Sequence, residues 1–434
     1  WSRYFAPQPE LDEYMQRISR EFGVTEHVLF DTAVTSAAWS ADAGRWIVQL
    51  DGPGGHEQRS VAVLVSAIGQ LNDPRLPDID GLDSFGGACF HSARWPDDLQ
   101  LAGAHVAVIG TGASAMQIVP TIADQVASLT VYQRSPQWAR PVERYHDPIP
   151  AGTQWLLEQL PFYAQWYRFT MLWRFGDGLH PYLQKDPAWP HPERSLNRRN
   201  DEHRAEMTQH LVSELAGRAD LIDQCLPDYP PYGKRILLDN GWFRSLLNPK
   251  VTLVTDPVAR VEHDAVVTTD GTRRPADVIV LATGFQVTEM AARLDITGRD
   301  GHNLREVWAD DNPSAYLGIS VPGFPNLFCM QGPNTGLGHG GSAIFQSECQ
   351  ARHITGCLVA MAERGAGVIE VTQQAHDADV AAVDAAHERM IWTHPGMSTY
   401  YRNPRGRVVT VMPWTLVDYW SLTHDVDVAA YTFT

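Results

Sequence analysis

The stretch Val106–Gln117, VAVIGTGASAMQ, decides how the chain folds. His105–Ile109 is an apolar run of strand length, and the residues after the glycines follow helical spacing. Between them Gly110, Gly112 and Ala115 spell G-x-G-x-x-A. The first glycine makes the tight turn and the second lets backbone approach a pyrophosphate. The small third residue lets helix and strand pack closely. Thr111, Gly112, Ala113 and Ser114 open the helix, where free N–H groups and the positive dipole end suit phosphate. Such a turn alone is a weak signal that a plain buried strand-to-helix turn also satisfies; here the required strand precedes it and the helix follows. Working outward, Ser128–Tyr132 is a second strand, and it ends in Gln133-Arg134-Ser135. An acidic residue there would bind the ribose 2′-OH of NAD. Arg134 suits a 2′-phosphate, so the expected dinucleotide is NADPH.

Composition narrows the class. A chain of 434 residues, 44% hydrophobic and 20% charged, has the make-up of a globular enzyme with two or three domains. A formal net charge of −17 argues against nucleic-acid binding. Cys89, Cys225, Cys329, Cys349 and Cys357 are scattered, with no C-x-x-C pair, so reduced thiols, a cytoplasmic setting and no metal site are expected. No apolar run reaches the ~18 residues of a membrane span.

Before the central turn, Glu10–Phe22 has helical spacing, Val28–Leu50 reads as strands with a turn at Ala41–Gly44, and Val61–Val65 is another strand. That strand leads to Ser66-Ala67-Ile68-Gly69-Gln70 and then to linker chemistry at Pro74, Pro77 and Gly81. After it, residues 150–230 break the strand–helix rhythm. Trp155, Leu156, Leu160, Phe162, Tyr163, Trp166, Tyr167 and Trp173 are expected to form the core of an inserted helical lobe. Pro230-Pro231-Tyr232-Gly233 precedes the adjacent cations Lys234 and Arg235. Val251–Val254, a hairpin at Asp270-Gly271 and Val278–Leu281 complete the sheet, and Ala282-Thr283-Gly284 follows. Near the end, Gly332-Pro333-Asn334-Thr335 and Gly338-His339-Gly340-Gly341 lead into a helix over Ser342–Arg364, a second helix start suited to an anionic edge. His339 reads as a turn histidine, since no partner acid is visible. The tail, with Trp392, Tyr400, Tyr401 and Trp414, is expected to pack on the second domain and in part cover the site.

Phe85–Pro96, FGGACFHSARWP, sits just ahead of the central turn, and by itself reads only as a loop. Its Phe85, Gly87, His91, Trp95 and Pro96 fit F-x-G-x-x-x-H-x-x-x-W-P, which resembles the fingerprint of type I Baeyer–Villiger monooxygenases. The resemblance runs through essentially the whole chain and is nearest to 4-hydroxyacetophenone monooxygenase-like members. It implies an α/β fold with two Rossmann-like domains: a split FAD domain (residues 1–96 and 284–434) around an NADPH domain (97–283) that carries the helical insertion. The implied cofactors are FAD and NADPH, and the implied reaction converts a ketone and O2 to an ester or lactone, on aryl or related ketones. Arg134, Ser135 and Lys234 would hold the 2′-phosphate, and Gly110 to Ser114 the pyrophosphate. Gln70, Ala282, Thr283 and Gly284 would mark backbone crossings near the flavin, with Asn334 and Thr335 in the loop beside it. Arg235 is implied to be catalytic, a guanidinium that never titrates and stabilises the anionic charge the reaction develops. Trp95-Pro96 favours ketone oxidation over the sister class that oxygenates N or S atoms; a non-catalytic nucleotide-binding subunit is the reading from another class. A homodimer is implied by resemblance. Family members also carry an earlier G-x-G-x-x-G for the FAD pyrophosphate, and residues 1–100 supply none. The opening resembles family sequence downstream of that turn, so further chain, upstream or on a partner, is expected to supply it.

Overall fold

The computed structural model describes residues 1–290, 295–309 and 311–434. Five short strands form a parallel sheet in the order Val251–Val254, Ser128–Tyr132, His105–Ile109, Val278–Leu281, Ala88–His91. Parallel sheets are covered on both faces, so their strands are apolar throughout rather than alternating. Val106 to Ile109 and Val278 to Leu281 are all buried accordingly. One face takes the helix Ala113–Ile122, whose Ala115, Met116, Val119 and Ile122 pack with Leu129, Val131, Leu211 and Phe243. The other takes an antiparallel meander of Val258–Glu262, Ala265–Thr268 and Arg273–Pro275, with Val261 and Val266 against Ile109, Ile279 and Leu281. In such a sheet ligands bind at the carboxyl ends of strands where the order reverses. Gly110, Ala282 and Ser92 lie just beyond those ends of three neighbouring strands.

The segment Phe85–Pro96 departs from the loop expected of it. Ala88–His91 is the edge strand of the central sheet, registered on Val278–Leu281, so the sheet begins eight residues ahead of the boundary expected after Pro96. Four residues are too few to show a period; the strand exists because a neighbour's edge was available. Gly87 makes the approach possible, since a Cβ there would lie 2.1 Å from the Asp277 carbonyl oxygen.

The remaining chain builds a second body. Ala33–Ser40, Arg45–Gly52 and Gly55–Val61 form a meander extended by Asp295–Thr297, around Trp46, Val48, Leu50 and Ile296. Leu64–Ser66 pairs in parallel with Leu327–Cys329 alone. The helix Ala343–Glu363 starts where expected, with Ser342 accepting the Phe345 N–H at 3.2 Å.

Residues 150–230 are helical, with helices at Ala151–Gln159, Tyr163–Arg174, Arg198–Glu214 and Ala219–Cys225. The expected aromatic core is not there. Trp155, Trp166 and Trp173 are 59, 66 and 56% exposed, and Leu160 and Phe162 also face outward. Leu156, Tyr163 and Tyr167 are partly buried instead. Aromatic residues lie all around the helix Tyr163–Arg174, so their spacing gives no sign of which side turns inward. The lobe's true core joins Leu183, Leu196, Met207, Tyr229 and Tyr232 to Met390, Trp392 and Tyr401 of the tail. The tail therefore packs on the lobe and the dinucleotide domain, not only on the second body. Lys185 Nζ donates to Thr393 Oγ1 at 2.6 Å, and His394 Nε2 bonds the Pro192 carbonyl at 2.8 Å. The thiols are free among the described residues; Cys89, on the edge strand, is exposed and the other four are buried.

The two glycines of the turn separate folding from binding. Gly110 has φ 114° and a Cβ there would meet the Ala282 carbonyl oxygen at 2.4 Å, whereas Gly112 has φ −75° and open space around it. Gly110→Ala is expected to lower stability by at least ~1–3 kcal/mol in denaturant titration. Gly112→Ala should change stability by less than about 1 kcal/mol while weakening NADPH binding. Equal stabilities for the two variants would contradict this.

Candidate active site

The dinucleotide turn is built as the sequence reads. The Gly110 N–H donates to the Tyr132 carbonyl at 3.0 Å, and Thr111 Oγ1 donates to the Ser135 carbonyl at 3.1 Å. Gly112 is the N-cap of the helix and has no side-chain cap, which leaves its first N–H groups for a ligand. Lys234 arrives from 99 positions away and donates Nζ to Ser135 Oγ at 2.7 Å, over the Tyr229 ring at 4.8 Å. Burial, and then the charge of Arg134, hold the Lys234 ammonium below its ordinary value. Arg134 is exposed and makes no ion pair among the described residues. Among the described residues no carboxylate is hydrogen-bonded or ion-paired to these two cations and the hydroxyl, a set of groups suited to an anion.

His91 joins the neighbouring strand ends. It is 3% exposed; Nδ1 accepts the Ala93 N–H at 3.2 Å, so Nε2 carries the proton and donates to the Gly284 carbonyl at 3.0 Å. Burial lowers its pKa, which keeps the ring neutral and this tautomer in place. Arg75 N–H also donates to the Gly284 carbonyl at 2.8 Å, and Thr283 Oγ1 donates to the Arg75 carbonyl at 2.6 Å. Gly284, at φ 84°, thus ties the linker to both domains. Trp95 packs edge-on against Phe90, with ring centroids 5.1 Å apart. Gln70 Nε2 donates to the carbonyls of Gln331 and Gly332 at 3.1 and 3.2 Å, which locks the first crossing to the late glycine loop.

A cavity of about 420 Å³ opens between the helix after Gly112, the lobe and the loop Gly340–Ser342. Arg235 lines it and is fixed by donation from Nη1 to the Leu337 carbonyl at 2.8 Å. It has no ion pair among the described residues. His339 lines the same cavity at 6% exposure, with neither ring nitrogen hydrogen-bonded. Burial, then His180 and Arg235, push its pKa down to about 3, so it is a neutral imidazole. Gly340 and Gly341, at φ 136° and 107°, let this loop press against the lobe; a Cβ at Gly340 would sit 2.1 Å from the Phe175 carbonyl oxygen.

The expected residues do not all face this space. The Asn334 side chain donates to the Val408 carbonyl at 2.8 Å, and Thr335 Oγ1 donates to the Gly332 carbonyl at 2.7 Å. Neither residue lines the cavity; both side chains hold the loop and tail in place. The aromatics expected to form the lobe's core are also absent from the wall, which takes Met171, Leu172 and Phe175 from the lobe. Arg140 and Tyr232 were missed. Arg140 carried one signal, a cation inside the apolar run Trp138–Pro141, and Tyr232 carried none beyond its place before Gly233.

Comparison with known proteins identifies this arrangement. Residues 3–147 match the family described as FMO-like, flavin-binding monooxygenase-like. A Baeyer–Villiger monooxygenase of Streptomyces coelicolor is 35% identical over 443 residues, covering 99% of this chain and 79% of its own length. The chain belongs to the flavin-binding monooxygenase-like family. Another member, the uncharacterized monooxygenase y4iD of Sinorhizobium fredii, is 43% identical over 432 residues; the match spans 99% of this chain and 65% of that relative's length. The crystal structure of OTEMO in complex with FAD and NADP superposes with a TM-score of 0.86 at 27% identity, covering 100% of this chain and 86% of that one. The mixed α/β fold with parallel sheets is thus that of flavin monooxygenases.

The buried histidines of this flavin monooxygenase make it acid-sensitive. Burial lowers His339 and His387 from 6.5 to about 3. Between those values the unfolded chain takes up protons that the folded chain refuses. Their contribution is full above about pH 6.5 and is lost as pH falls towards 3, on the order of 1 kcal/mol per pH unit for each. Thermal melts from pH 7 to 4 should show a falling Tm, less steep in His339→Gln. A flat profile would rule this out.

Proposed function

We propose that this chain forms the catalytic body of an NADPH-dependent Baeyer–Villiger monooxygenase, which converts a ketone, O2, NADPH and a proton to an ester or lactone, NADP+ and water. The observation that carries it is the unpaired Arg235 guanidinium in a cavity beside the glycine turn and the Lys234–Ser135 pair. The site fits NADPH: Gly112 leaves room for a pyrophosphate, and Arg134, Ser135 and Lys234 await a 2′-phosphate. It fits the ring end of a flavin too, through Arg235, the unpartnered His339 and the backbone of Gly340–Ser342 at a helix N-terminus. Bound flavin supplies the reduction of O2 and delivers one oxygen atom to the ketone. The protein's part is positional and electrostatic. Arg235 faces negative charge that develops on the substrate's carbonyl oxygen and never loses its proton. Neutral His339 has an N–H to donate to a ligand in the cavity. Lobe side chains Met171, Leu172 and Phe175 exclude water. Resemblance to the acetophenone-type members points to aryl ketones, and the free thiols fit a cytoplasmic setting.

Lys234→Ala should weaken NADPH binding by about 1.5–3 kcal/mol and leave NADH nearly unaffected. Arg235→Ala should keep consuming NADPH while ester formation, followed by gas chromatography, disappears. Wild-type product yield from Arg235→Ala would refute the assignment.

We also infer that further chain completes the flavin site. Among the described residues, the strand Leu64–Ser66 is not followed by a glycine turn and helix. It sits in a two-stranded parallel sheet beside exposed Leu71 and Leu76, and such a sheet is not stable with bare edges. Intact-mass analysis of the purified flavin-bearing protein should give a mass above that of these 434 residues, or a second polypeptide. A flavin-bearing species of the mass of this chain alone would overturn the inference.

A further inference from the structure

We propose that Arg140 seats an anionic group of the substrate, so that the ketone taken by this cavity carries a carboxylate. The substrate's being a ketone rests on the function proposed above; the anion seat rests on the following geometry. Arg140 lies in the two-residue strand Ala139–Arg140, paired in parallel with Leu237–Leu238, just after Arg235. The Leu237 N–H donates to the Trp138 carbonyl at 2.9 Å and the Asp239 N–H to the Arg140 carbonyl at 3.0 Å, so its backbone is held on both sides. Its guanidinium lies over the Phe175 ring at 4.6 Å and lines the cavity with Arg235. Stacking on one face leaves the in-plane N–H fork free, the geometry that takes a carboxylate through two bonds.

No protein group takes that fork. Among the described residues Arg140 makes no side-chain hydrogen bond and no ion pair, and the cavity wall contains no carboxylate. Tyr232, in the same wall, and Glu206, beyond ion-pair distance, favour its charge, and Arg174 disfavours it. Burial is the largest influence and lowers its pKa, in keeping with a charge partly withdrawn from water and not fully compensated. Two further features separate this seat from the nucleotide's. None of Arg134, Ser135 and Lys234 is among the residues lining the cavity, and the wall that Arg140 shares includes the apolar Met171, Leu172, Phe175 and Leu179. A flat, apolar ketone body with a carboxylate at one end matches two arginines set in such a wall.

The test uses the flavin-loaded full chain saturated with NADP+, and a matched pair of probes, 4-acetylbenzoate and its methyl ester. Competition calorimetry should show the acid binding about tenfold or more tighter than the ester. In Arg140→Gln the acid-to-ester ratio should fall to about one, and Arg140→Lys should restore part of it. Equal binding of acid and ester to the wild type, or failure of both to bind, would overturn the proposal. So would a variant that weakens both probes alike, which marks a structural role, or one that weakens NADP+ while the ratio persists, which assigns Arg140 to the nucleotide. Turnover is read separately. Arg140-dependent acid binding without ester product supports this seat and refutes the oxygenation reading; ester product with no preference for the acid does the reverse.

Discussion

The bond from His91 Nε2 to the Gly284 carbonyl is the contact on which the site depends. His91 closes the edge strand, and Gly284 lies at the point where the chain leaves the central sheet for the second body. Gly110 packs against Ala282, two residues before Gly284. One buried, neutral imidazole therefore sets the spacing between the dinucleotide turn, the linker and the return crossing. A protonated ring would lose the acceptor at Nδ1 that takes the Ala93 N–H, and burial keeps the ring from protonating.

Around this joint the charges are arranged in two groups. Arg134 and Lys234 gather at the end of the second strand, close enough that Arg134 disfavours the charge on Lys234. Arg235 and Arg140 line the cavity, apart from any carboxylate in its wall. Unpaired cations in partly buried places are costly unless a ligand compensates them. The protein is strongly acidic overall, so these local excesses are not a consequence of composition. They are the places proposed above to receive phosphate and other negative charge.

The lobe and the tail form one unit. Met390, Trp392 and Tyr401 fill the space under Tyr229 and Tyr232, so the segment carrying Lys234 and Arg235 is clamped between lobe and tail. Tyr232 takes φ 72°, a strained value for a residue with a side chain, and its hydroxyl is bonded to His203 Nδ1 at 2.9 Å. Packing on both sides holds that conformation and with it the direction in which the two cations leave the turn.

The sequence by itself determined the local chemistry. The glycine turn, Arg134 in place of an acid, the adjacent Lys234 and Arg235, and the helix capped by Ser342 depend on residues close in the chain, where steric and hydrogen-bonding rules act directly. The fingerprint around His91 was visible as a pattern, but its physical role was not, because its partner lies 193 positions away. Only the tertiary structure decided that Ala88–His91 is a strand, that the lobe's tryptophans face outward, that the tail fastens to the lobe, and that Arg140 shares a cavity with Arg235. Each of these depends on which distant surface happens to adjoin. A four-residue run has no period, aromatics spread around a helix mark no single buried side, and a lone arginine shows no environment until the chain has closed around it.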